Sequence, residues 1–91
     1  MKRFTPEELC SVPRLAPDVR IREETFGALI FKGTEMAIYE TNTTALALLR
    51  FVAPDRTLES LIAHAVEKLG ASKHDTVTTL SEMRHAGVVV L

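Results

Sequence analysis

The sequence predicts an α+β domain with a winged helix-turn-helix-like layout, a three-stranded antiparallel sheet followed by three helices. Three observations predict it. Val19 to Tyr39 reads as short apolar-rich runs broken by turn residues. Thr41 to Ala86 holds three helical segments, each opened by a capping residue. The second and third helices, the short glycine-containing turn between them and the β-branched tail Val88 to Leu91 then supply a helix-turn-helix and a closing strand. At 91 residues the chain can bury one core and is too short for two.

Residues 1–17 carry Pro6, Pro13 and Pro17 among scattered apolar residues, which predicts an extended arm preceding a domain over 18–91. Strands are expected at 19–22, 27–32 and 36–39. Gly33-Thr34 fits a two-residue hairpin turn, which sets Lys32 opposite Glu35, Phe31 opposite Met36 and Leu29 opposite Ile38. A three-residue loop of Glu23, Glu24 and Thr25 would put Val19 and Ile21 on that same face. The expected inner face is therefore Val19, Ile21, Leu29, Phe31, Met36 and Ile38. Phe26, Ala28, Ile30, Ala37 and Tyr39 fall on the other face with Arg20 and Arg22, where the arm is expected to give partial cover.

The first helix starts at Thr41 or Asn42 and ends before Pro54. The second takes Thr57 as its cap and places Leu58, Leu61, Ile62, Ala65 and Leu69 on one stripe, with Gly70 ending it. The third opens at Ser72 with Asp75 three residues on, and runs to about Ala86 before Gly87. Met36 to Tyr39 comes last in the meander, with nothing after it poised to pair. It is expected to be an open sheet edge, either a hazard or a docking site for an extended peptide.

Composition narrows the function classes. Charged residues at 25% and hydrophobic ones at 46% describe a globular chain rather than a disordered one. A net charge of −1 gives no electrostatic case for nucleic acid or an anionic membrane. Cys10 has no intrachain partner, no signal peptide is visible, and the apolar run Ala45 to Leu49 is too short to span a bilayer. The expected location is the cytoplasm. His64, His74 and His85 match no metal-ligand spacing, Glu23-Glu24 reads as solvated charge, and no nucleophile–base pair or phosphate loop is present. No catalysis and no cofactor are expected.

Asn42-Thr43-Thr44-Ala45 with Leu48 and Leu49, then Arg56-Thr57-Leu58-Glu59-Ser60-Leu61, then Gly87-Val88-Val89, together resemble the PqqD-like family. Its members are peptide chaperones of pyrroloquinoline quinone biosynthesis and the wider set of precursor-peptide recognition elements. Phe26-Gly27-Ala28 in the first hairpin also resembles the mycofactocin chaperone. The chain departs from the family pattern at Thr41, at Leu49, where a tryptophan is usual, and at Ala53-Pro54, where Asp-Gly is usual.

The resemblance implies capture of the leader of a ribosomally made precursor peptide, added as a strand beside the third strand. It also implies a modifying enzyme as partner, often of the radical S-adenosylmethionine class. The candidate peptide-binding residues are Met36, Ala37, Ile38 and Tyr39 on the edge, with Thr76, Thr79, Leu80 and Met83 on the third helix. Leu80 and Met83 fit a core as well as a groove, and Tyr39 fits a half-buried strand position.

Two rival classes stand beside this one. A DNA-binding winged helix needs a cationic recognition helix, whereas Lys73 and Arg84 are balanced by Asp75 and Glu82. A homodimer formed by strand exchange through the same edge is the other.

Overall fold

The computed structural model describes residues 3–33 and 36–91. Its centre is the expected antiparallel sheet, with strands β2 (Val19–Glu24), β3 (Gly27–Lys32) and β4 (Ala37–Asn42) in the order β2-β3-β4. A further two-residue strand β1 (Arg14–Leu15) pairs with β5 (Val89–Val90) in a separate small ribbon.

The register differs from the expected one and turns β3 over. Ile21 pairs with Ile30 and Val19 with Lys32, across a two-residue loop rather than a three-residue one. On the other side Phe31 pairs with Ile38 and Lys32 with Ala37, across four residues rather than two. Thr34 and Glu35, the expected turn residue and the expected partner of Lys32, lie outside the described residues. Side chains alternate along a strand, so the odd, three-residue shift between β2 and β3 exchanges the faces of β3, whereas the even, two-residue shift between β3 and β4 keeps Leu29, Phe31 and Ile38 together. Val19 and Ile21 do face the core, but they share it with Ala28 and Ile30, which are 0% and 1% exposed. Leu29 and Phe31 lie on the outer face with Ile38, which is 61% exposed, while Met36 is 90% exposed. The face expected under the arm, that of Ala28 and Ile30, is the core face itself, and Phe4, Leu9 and Leu15 of the arm pack against the core it joins. On the outer face the Arg22 guanidinium lies over Phe31, 5.7 Å from its ring centre.

Three main helices follow, α2 (Thr43–Phe51), α3 (Leu58–Lys68) and α4 (Lys73–His85). Each begins where a side chain relieves orphan amides. Asn42 accepts from the Ala45 amide at 2.8 Å, Thr57 from Ser60 at 3.2 Å and Ser72 from Asp75 at 3.0 Å. Between α2 and α3, Arg56 donates to the Phe51 carbonyl at 2.8 Å and lies 3.8 Å over the Phe51 ring. His64 stacks on the same ring with centroids 3.7 Å apart. That stack fixes the corner by hydrogen bond, cation–π and ring contact together.

The end of α4 is a Schellman turn. Gly87 has φ 76°, its amide donates to Arg84, and the Val88 amide donates to Met83. Val88 is then buried with Ile30, Leu48, Leu58, Leu61 and Leu80 in the core cluster that joins sheet and helices.

The N-terminal arm is more regular than its prolines suggest. Thr5 and Glu8 form a reciprocal capping box around the short helix α1 (Pro6–Leu9), with Pro6 in the first turn, where proline costs no hydrogen bond. The arm is tied down by the Leu58 amide donating to Ser11 and by an ion pair from Glu8 to Arg84. It therefore packs along the helices rather than across the sheet.

Candidate functional site

The open edge of β4 can be specified amide by amide. The Gly33 amide donates to the Asp18 carbonyl at 3.1 Å, so these two form a hydrogen-bonded pair. Such pairs alternate along an antiparallel ladder. Phe31, Leu29 and Gly27 therefore also turn their backbone groups to β2, and Lys32, Ile30 and Ala28 turn theirs to β4. Their partners Ala37, Tyr39 and Thr41 are satisfied by β3. Ile38 and Glu40 thus point N–H and C=O away from the sheet, where no strand among the described residues pairs with them.

A cleft of about 240 Å³ lies beside this edge, between β4 and α4. Ile30, Ala45, Met83 and Val88 contribute its apolar lining, and Tyr39, Thr41, Thr79 and Glu82 line it with Glu40. A second cleft of about 200 Å³ lies around the starts of α2 and α4, with Asn42, Asp75 and Thr76 among its walls, and Thr79 lines both. The Thr41 hydroxyl is buried and has no hydrogen-bond partner among the described residues. Buried hydroxyls are rarely left so, which marks this wall of the cleft as chemically unfinished.

Of the sequence candidates, Tyr39, Thr79 and Met83 line the main cleft. Ala37 is half-buried with its amide used by β3, and Ile38 presents an outward amide under an exposed side chain. Met36 lies outside the strand. Its φ is 53° and its amide donates to Gly33 at 3.3 Å, so it belongs to the hairpin connection. Leu80 is 2% exposed in the core and lines neither cleft. Thr76 is 2% exposed, and its hydroxyl donates to the Ser72 carbonyl at 2.8 Å.

Sequence reasoning missed Glu40 and Thr41. It ended the strand at Tyr39 because Thr41 reads as a cap. The signal was there: Ala37, Tyr39 and Thr41 continue one alternating set, and Asn42 alone suffices to cap α2.

Among the described residues no group of three or more His, Cys, Asp or Glu is placed to hold a metal ion, and no helix is long and apolar enough to cross a membrane.

No protein-family model and no curated protein matches the sequence. Among solved structures, the fold is similar to that of a lasso peptide synthetase B1 complexed with the leader peptide. The two superpose with a TM-score of 0.69 at 12% identity, over 89% of this chain and all of that one. The chain thus shares the fold of a protein solved with a leader peptide bound.

Proposed function

We propose that this chain is a non-catalytic recognition domain for the leader of a ribosomally made precursor peptide. The leader adds as a fourth strand beside β4 and settles side chains into the cleft against α4. The carrying observation is the pairing of outward amides at Ile38 and Glu40 with an adjacent apolar-floored cleft. Each added backbone hydrogen bond contributes only ~0.5–1.5 kcal/mol net, so the cleft supplies much of the discrimination. The shared fold with a leader-bound synthetase component supports this reading.

The domain then presents the peptide to a modifying enzyme in the cytoplasm. From the PqqD-like resemblance, that enzyme is of the radical S-adenosylmethionine class.

An amide-shift NMR titration tests the proposal, using candidate leader peptides and a short DNA duplex as control. Shifts centred on Ile38, Glu40, Thr79 and Met83 are expected with a leader. A duplex that moves α4 while no leader moves β4 would make this a DNA-binding winged helix instead.

A further inference from the structure

The charge around the β4 edge is one-sided. Glu40 and Glu82 line the larger cleft and Asp75 the smaller, while among the described residues no Lys, Arg or His lines either. The opposite flank of α4 is the reverse. There a cleft of about 440 Å³ is lined by Arg3, Lys73 and His74 with Phe4, Ile62 and Val77, and by no acid among the described residues. The whole chain holds 11 Lys and Arg against 12 Asp and Glu, so bulk composition does not create the division. Docking of α4 against the sheet does.

The ladder adds a register to this charge. In a strand added beside β4, residues opposite Tyr39 and Thr41 turn inward to Ile30, Ala45, Met83 and Val88. The residue between them lies opposite Glu40 and turns to the outer face. Glu40 is exposed, and no ion pair engages it among the described residues. Opposite charges directly across a strand pair attract, and like charges there repel.

We infer that the peptide taken by this edge is cationic, with a Lys or Arg flanked on each side by an apolar residue, the basic residue lying across from Glu40. This rests on the strand-addition reading. The triplet is symmetric, so it reads the same whichever way the added strand runs. Asp75, on the wall of the smaller cleft, adds to the preference by disfavouring acidic residues there.

The test is selection of a random twelve-residue peptide library on the intact chain. Winners are then titrated against the natural chain, Glu40→Gln and Glu40→Lys, with NMR mapping of each complex. Matching thermal melts verify that these exposed substitutions keep the fold. The apolar–basic–apolar triplet should be enriched, with roughly two- to fivefold weaker binding to Glu40→Gln and weaker binding as salt rises. Selection on Glu40→Lys should favour an acidic centre. Winners that shift the Ile38 and Glu40 amides yet lack the basic centre would overturn the charge inference alone, as would an unchanged preference on Glu40→Lys. Winners that map away from β4, or no winners at all, would overturn the strand-addition reading with it.

Discussion

Lys32 is buried from the inner face of the sheet, and its ammonium donates to both carboxylate oxygens of Asp18, at 3.0 and 3.2 Å. Its stem runs close past Gly87, where an added Cβ would meet Lys32 Cε at 2.7 Å. The pair thus closes the base of β2 and β3 over the turn that ends α4. A charge-assisted contact of this kind, removed from one side, costs about 1.5–3 kcal/mol. Lys32→Ala should lose that much in urea unfolding. Lys32→Met should lose less, because a long apolar stem still covers Gly87. Equal losses in the two variants would show that the stem contributes nothing.

Gly27 sits where β4 runs into α2. Its φ is 145°, and a Cβ there would lie 2.1 Å from the Thr41 carbonyl oxygen. Backbone cannot yield as a flexible side chain does, and the conformation itself disfavours a side chain. Gly27→Ala should destabilise the domain by about 3 kcal/mol or more, with the largest amide shifts at Thr41 and Asn42. Unfolding within about 0.5 kcal/mol of the natural chain would refute the close approach.

The helices were legible because capping is local chemistry. Asn42, Thr57 and Ser72 each meet an amide three residues on, whatever the rest of the chain does. The same residues carry the family resemblance. Asn42 caps α2, Arg56 and Thr57 build the corner into α3, and Gly87 closes α4. Those motifs therefore encode how the chain turns, and they name no ligand.

The sheet register was not legible for a physical reason. Ala28 and Ile30 are as apolar as Leu29 and Phe31, so either face of β3 could pass for the core. Only the loop lengths decided between them. The charge division across α4 was hidden in the same way. Lys73 and Arg84 look balanced by Asp75 and Glu82 until docking sends the acids to the β4 side.

The arm should respond to acid. The Glu8 carboxylate accepts from the Thr5 amide at 2.8 Å and pairs with Arg84. The Thr5 hydrogen bond first, and Arg84 after it, hold its pKa below the ordinary 4.5. A carboxyl depressed in this way contributes its stabilisation in full above the unfolded value and loses it as pH falls through the folded one. The tether of α1 to α4 should therefore be intact near neutrality and weaken only below pH 4.5. Exchange of the Leu58 amide, which donates to Ser11 at 2.8 Å, reports it. Arg84→Gln should move the loss to higher pH. Unchanged exchange through the acid range would show that Glu8 does not hold the arm.

The strongest check of the edge uses two neighbouring prolines. Ala37 spends its amide on Lys32 within the β3–β4 ladder, whereas the Ile38 amide points outward. Proline has no amide to donate, so the two substitutions remove donors on opposite sides of one strand. Ala37→Pro should lower thermal stability and broaden the sheet resonances, because it breaks a native pair. Ile38→Pro should keep every β3–β4 pair and weaken leader binding roughly three- to tenfold, the value of one or so net hydrogen bonds. Ile38→Ala is the control, since it removes the exposed side chain and keeps the donor. If Ile38→Ala weakens binding as much as Ile38→Pro, the side chain and not the amide makes the contact. If Ile38→Pro unfolds the sheet while Ala37→Pro does not, the assigned alternation of the ladder is inverted.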